Sequence, residues 1–251
     1  MPSPLLADYV RYYWIFESDD IHHQELVYPT GEVQILFHYR QPFRRVEPDG
    51  RMVPQSAAEV GGQTDTFRRI MAEPVCGLIG VTFHPHAASA FIPFPLFEIR
   101  NSGCDVSDFH PGLGSFSEQL AECPDSNARI ALIERFLLSR LNAPPQYSII
   151  RHMVNKIIKS HGQIELSALY QEAGWSERHF QRIFRSRIGI SPKRFLEIIR
   201  FNHAVSLLAA PFSLTRIAYD AGYYDQSHLI KAFREFSSLN PMEFRRLNLT
   251  Q

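Results

Sequence analysis

The chain has 251 residues, 45% of them hydrophobic and 21% charged, a composition that supports a buried core and excludes a disordered chain. Its formal net charge is zero, yet the charge is divided. Residues 1–145 carry 11 arginines and no lysine against 18 Asp and Glu (a balance of −7), whereas residues 146–251 carry 15 Lys and Arg against 8 (a balance of +7). Two halves of opposite sign imply two domains with different partners, the basic one suited to a polyanion.

The first half reads as β-rich with helical ends. Glu32-Val33-Gln34-Ile35-Leu36-Phe37-His38-Tyr39 follows the turn signal Pro29-Thr30-Gly31 and has the β-branched and aromatic content of a strand. Val75-Cys76-Gly77-Leu78-Ile79-Gly80-Val81-Thr82-Phe83 is a second such run, whose glycines imply a bend or a close backbone approach. Turn clusters at Pro48-Asp49-Gly50 and Gly61-Gly62 punctuate the interval, the pattern of a small barrel or sandwich. From Asn127 the period becomes helical: Ile130, Ile133, Leu137 and Leu141 form a stripe, with Ser126 or Asn127 as the expected cap. That stripe suits either a dimer seam or a face covering the domain's own barrel.

Asn142-Ala143-Pro144-Pro145-Gln146 ends the helix and marks a linker. The expected division is therefore 1–143 and 148–251, the second being the basic half.

The second half contains an internal repeat. Ala173-Gly174-Trp175-Ser176-Glu177-Arg178-His179-Phe180-Gln181-Arg182-Ile183-Phe184-Arg185 aligns with Ala221-Gly222-Tyr223-Tyr224-Asp225-Gln226-Ser227-His228-Leu229-Ile230-Lys231-Ala232-Phe233-Arg234 after a one-residue insertion near Tyr224. Each copy reads helix, glycine turn, helix, then a proline-initiated helix at Pro192 or Pro241. Helix, turn and helix is a unit whose second helix enters the DNA major groove. The two units are expected at about 164–188 and 213–237, joined by a helix at about 191–209. Ser191 caps that helix with Pro192 at its first position, and its run toward Ala210 implies ~20 residues and ~30 Å.

Within the first reading helix, Phe180, Ile183 and Phe184 share one face, while Arg178, Gln181, Arg182 and Arg185 lie opposite. In the second, Leu229, Ala232, Phe233 and Phe236 form the core stripe; Ser227, Lys231 and Arg234 face out, with Gln226 at the amino-terminal end. Gln and Arg are the side chains whose bidentate geometry fits adenine and guanine edges.

These residues resemble the AraC/XylS family of bacterial transcription regulators over roughly residues 150–247. Gly174 through Arg185 followed by Gly189-Ile190-Ser191-Pro192-Lys193-Arg194-Phe195 is similar to the family's first motif. Ile217-Ala218 through Arg234, ending Asn240-Pro241-Met242-Glu243-Phe244-Arg245, is similar to its second. The resemblance implies base contacts by Arg178, Gln181, Arg182, Gln226, Ser227, Ile230 and Lys231, with Ile230 limited to a thymine methyl. Ser176, Arg185, Lys193, Arg194 and Arg234 are expected at phosphates. Two residues depart from the pattern: Tyr170 replaces a small alanine, and Ser238 replaces a glycine. The first half more loosely resembles the sensory domain attached to such regulators, through Tyr13-Trp14, Pro29 to His38 and Gly80 to Ala88. The implied whole is an α+β chain: a β-rich, cupin-like barrel plus helices, then an all-α dual helix-turn-helix domain. Trp14, Tyr28, His38, His84 and His86 are its expected effector contacts. The implied partners are promoter or operator double-stranded DNA, RNA polymerase, a small-molecule effector and a second copy in a homodimer, with an activating role.

Other chemistry is thinly represented. Met1-Pro2-Ser3-Pro4 lacks the basic and apolar regions of a signal peptide, and no apolar run approaches the ~20 residues of a membrane span. Three scattered cysteines, Cys76, Cys104 and Cys123, fit a reducing cytoplasm better than a disulfide framework. His84-Pro85-His86 with His22, His23 and His38 could offer imidazoles to a metal, but no carboxylate or thiol stands at ligand spacing, so no metal or other cofactor is expected. No nucleophile elbow, phosphate-binding glycine loop or paired catalytic carboxylate is found, so a non-enzyme is expected. The alternative function is a small-molecule or protein-interaction module whose basic helices bind acidic partners without reading sequence.

Overall fold

The computed structural model describes residues 1–19, 23–47, 49–110, 113 and 115–248. Nine strands occur among them: β1 (Val10–Ser18), β2 (His23–Val27), β3 (Gln34–His38), β4 (Arg44–Val46), β5 (Met52–Pro54), β6 (Ala58–Gly61), β7 (Arg68–Ala72), β8 (Cys76–Phe83) and β9 (Gly103–Asp105). They form two antiparallel sheets, one in the order β1-β8-β3-β6-β9 and the other β2-β7-β4-β5. The expected barrel is thus two facing sheets, and the two ladders stay separate among the described residues.

Register explains which residues lie between the sheets. Trp14 of β1 stands opposite Gly80 of β8, which stands opposite Leu36 of β3; Phe16, Leu78 and His38 form the next such row. These residues face the smaller sheet, where Phe43, Ile70 and Ala72 join them in a small, partly buried apolar cluster. Gly80 is required here: a Cβ would lie 2.1 Å from the Trp14 ring. The alternate residues Ile35, Phe37, Ile79 and Val81 point the other way, into a second core. Because both its faces are covered, every residue of β8 is buried.

That second core is covered by α1 (Phe116–Glu122) and α2 (Ser126–Arg140), with Phe116 and Phe136 against Phe37. The cap of α2 is Asp125 rather than Ser126 or Asn127: its carboxylate accepts from the Ala128 amide at 2.8 Å. Ile133 and Leu137 are fully buried in this core, with Ile130 and Leu141 packed against it. The helical stripe therefore belongs to the chain's own core and is not available as a dimer seam.

The second half is helical: α3 (Tyr147–Lys159), α4 (Leu166–Ala173), α5 (Glu177–Ile188), α6 (Pro192–Leu208), α7 (Leu214–Asp220), α8 (Gln226–Ser237) and α9 (Pro241–Asn248). Its own core centres on the fully buried Phe180, Phe184, Phe195, Phe201 and Phe233. Gly174 and Gly222 take φ values of +66° and +74° at the two turns, a region open to glycine without the Cβ penalty. The linking helix α6 has 17 residues, about 25 Å at 1.5 Å per residue, shorter than the run to Ala210 implied. Its cap is as expected, Ser191 Oγ accepting from the Arg194 amide at 3.2 Å.

Candidate nucleic-acid interface

The first reading helix, α5, is started by Ser176, whose side chain accepts from the His179 amide. Its buried face, Phe180, Ile183, Phe184 and Ile188, anchors it on the helical core. The opposite face carries Arg178, Gln181, Arg182 and Arg185, all exposed. Two are held by neighbours one turn back: Gln181 Nε2 donates to Glu177 Oε1 at 2.9 Å, and Arg182 Nη2 lies 3.3 Å from His179 Nδ1. Such i, i+3 and i, i+4 contacts restrict side chains already facing outward.

The second reading helix, α8, repeats this arrangement. Asp225 caps it by accepting from the His228 amide at 2.7 Å, and Leu229, Ala232, Phe233 and Phe236 are buried. Gln226, Ser227, Lys231 and Arg234 are exposed and Ile230 is half-buried. The Gln226 side-chain Oε1 accepts a hydrogen bond from Thr215 Oγ1 of α7 at 3.4 Å. Sequence reasoning passed over Tyr219 and Tyr224, exposed by 83% and 93% on either side of the Gly222 turn. The signal available was the absence of any apolar period placing them inside.

The expected phosphate contacts divide. Ser176, Lys193 and Arg234 are exposed as required. Arg185 is exposed, but its guanidinium lies over the ring of Phe97 from the first half, 4.9 Å from the centroid. Arg194 contradicts its expectation: its side chain is only 18% exposed and is engaged by Asp65, Glu197 and Glu235. It serves an internal junction and does not present a cation to solvent.

The five expected effector contacts do not form one site. Trp14 and His38 lie on the inner face of the larger sheet. Burial pushes the His38 imidazole down to about 4, so it is neutral at physiological pH. His84 and His86 stack with ring centroids 5.7 Å apart beside Tyr147, the first residue of α3. Burial, then the His84 charge, holds His86 at about 4 as well. Tyr28 is a correction: it packs against Phe201 and Phe244 of the helical half, away from the inter-sheet space.

No group of three or more His, Cys, Asp or Glu among the described residues is placed to hold a metal. His22 lies outside those residues. Burial raises the thiols of Cys76 and Cys104, the latter to about 11, the reverse of an activated nucleophile. No helix among the described residues is long and apolar enough to cross a membrane.

Residues 169–247, which span the two reading helices, match a family described as a helix-turn-helix domain. Over those residues the helical half is similar to helix-turn-helix domains. Residues 1–105, ahead of that match, match a family described as a domain of unknown function, DUF6597. An uncharacterized HTH-type transcriptional regulator of Haemophilus influenzae is 35% identical over 82 residues, 32% of this chain and 28% of that protein. The HTH-type transcriptional regulator MtrA of Neisseria gonorrhoeae is 28% identical over 97 residues, 38% and 32% of the two chains. The chain thus spans about a third of the length of these relatives. Among solved structures, ToxT of Vibrio cholerae aligns over 96% of this chain and 98% of its own, with 11% identity and a TM-score of 0.49.

Proposed function

We propose that the chain is a sequence-specific transcription regulator that binds double-stranded DNA by placing α5 and α8 in successive major-groove segments. The observation that carries this reading is the doubling of one arrangement. Two capped helices behind glycine turns each bury an aromatic face and expose Gln with Arg or Lys on the other. Arg178, Gln181 and Arg182 read one segment, and Gln226, Ser227, Ile230 and Lys231 the other; Ser176, Arg185, Lys193 and Arg234 take phosphates. Arg194, buried in its junction, is left out of this set. Selection from a random duplex pool by the full chain tests the reading. One enriched motif with two blocks about a helical turn apart supports it. Salt-sensitive binding without motif enrichment supports the polybasic module instead.

The first half is proposed to bind a small effector between its two sheets. Both His38 ring nitrogens, Gln55 Oε1 and Thr82 Oγ1 are buried without a hydrogen-bond partner among the described residues. Buried polar groups are ordinarily satisfied, so several orphans together favour an occupant with donors and acceptors. Trp14, Phe16, Leu36 and Leu78 supply apolar contact on the same inner face. The test is a ligand-library thermal-shift screen in which hits lose their shift in His38→Ala. The proposal extends to activation through RNA polymerase by a cytoplasmic homodimer. Transcription in vitro with purified polymerase and sedimentation of the DNA complex test those parts.

A further inference from the structure

The junction around Arg194 joins three parts of the molecule. Asp65, in the loop between β6 and β7, is held on its own side by Arg100 (2.7 Å) and Asn101 (2.7 Å), which both donate to Oδ2. Across the boundary, Arg194 of α6 donates to the Asp65 carbonyl at 2.5 Å, with Nε 3.6 Å from the other carboxylate oxygen. The same guanidinium pairs with Glu235 of α8 at 2.7 Å and lies over Phe236 of α8, 4.3 Å from the ring centroid.

The next residue of that loop reaches α8 directly. Thr66 Oγ1 donates to the Glu235 carbonyl at 2.9 Å. Glu235 lies in the last turn of α8, which ends at Ser237, so its carbonyl is one of the four that a helix cannot satisfy internally. The first half of the chain therefore supplies a capping bond to the second reading helix. The loop that does so is itself anchored: Gln63 is buried and donates to the Gly31 carbonyl at 2.8 Å. Behind it, β6 carries Glu59, held between the sheets by Arg45 and Gln55.

We propose that the β6–β7 loop sets the pose of α8 on DNA, with Asp65, Thr66 and Arg194 as positioning residues that touch no base. The inference rests on the reading of α5 and α8 as two DNA-reading helices. The loop touches α8 at Glu235, and Arg194, which it engages, touches Glu235 and Phe236, all at the end of the helix remote from Gln226 and Ser227. A small rotation there moves the reading residues as a unit, since a helix carries its side chains rigidly over two or three turns. Base readout depends on that placement, because a bidentate pair that is out of line with its base edge gives up much of the discrimination at that position.

The test resolves the two half-sites. A duplex obtained by selection with the full wild-type chain is altered in either the block read by α5 or the block read by α8. Binding is then compared for wild type, Thr66→Ser and the double variant Asp65→Ala/Thr66→Val. In wild type and Thr66→Ser, scrambling either block costs at least about tenfold in affinity. In the double variant the cost of scrambling the α8 block falls below about threefold, while that of the α5 block is unchanged. Unchanged costs at both blocks, or an equal fall at both, would overturn the proposal. Circular dichroism checks folding; should the double variant unfold, Thr66→Val alone removes only an exposed hydroxyl and must show the same one-sided fall. A wild type without sequence preference at either block instead overturns the DNA-reading assignment itself.

Discussion

Tyr28 and Phe244 meet edge to face, their ring centroids 5.2 Å apart, although one lies beside β2 and the other in the last helix. Tyr28 also meets Phe201 at 5.9 Å, and Asn202 donates to the Pro29 carbonyl at 3.2 Å. The segment 28–31 is thus a foot of the first half on the helical half. Tyr28→Ala is expected to cost about 2 kcal/mol, a partial-burial share of the usual aromatic truncation. Calorimetry should show one coupled unfolding transition in wild type and a separation of the two halves in the variant. An unsplit transition at the wild-type temperature would refute this.

Ser238 ends α8 at φ +61°, in the left-handed region, with its side chain exposed. This is the position where the family pattern that the sequence resembles has glycine, and a Cβ there is strained by about 1–2 kcal/mol. Ser238→Gly relieves that strain and increases the freedom of the unfolded chain, so a net gain of about 0.5–1 kcal/mol is expected. Chemical denaturation measures it directly; a loss of stability would show that the serine hydroxyl stabilises the helix end by more than the strain costs.

Leu137 is fully buried beneath the larger sheet. Leu137→Glu therefore places a charge in a packed core and is expected to unfold or aggregate the chain. A folded monomer from that variant would mean that Leu137 faces another copy. Leu138, 37% exposed on the same helix, should tolerate the same change.

Arg182 is exposed on α5, with His179 3.3 Å away as its neighbour. Arg182→Ala should weaken operator binding by about 1–3 kcal/mol and relax preference at one base position. A uniform loss over all sequences, with a shallower salt dependence, would instead make Arg182 a phosphate contact.

His38 and His86 are both neutral in the folded chain, their imidazoles pushed down to about 4. In the unfolded chain each takes up a proton near pH 6.5. Between those values the unfolded state binds more protons, so stability rises with pH and is lost as pH falls from about 6.5 toward 4. Each imidazole contributes about 2–3 kcal/mol to that loss. Unfolding free energies measured at pH 7 and 4.5 should differ by less in His38→Gln than in wild type; an identical difference would exclude His38 as a contributor.

The sequence by itself determined what depends on near neighbours along the chain. The two helix-turn-helix units, their glycine turns, the cap at Ser191, and the outward set Arg178, Gln181, Arg182, Ser227 and Lys231 were all legible. Capping bonds and amphipathic faces span three or four residues, so local spacing encodes them. The strands at 34–38 and 76–83 were legible for the same reason, as was the close approach at Gly80.

Tertiary structure alone decided what covers each face and which charge meets which. The stripe of α2 has a period compatible with either a partner or the chain's own sheet, and only the position of Phe37 and its neighbours resolves it. Arg194 and Lys193 are adjacent cations in sequence, yet one is enclosed by Asp65, Glu197 and Glu235 and the other is exposed. Tyr28 and His38 stand ten residues apart, yet one joins the two halves and the other lies between the sheets. Periodicity tells which residues are apolar on one side of an element; the partner of that side is set by packing between residues far apart in the chain, which no local spacing encodes.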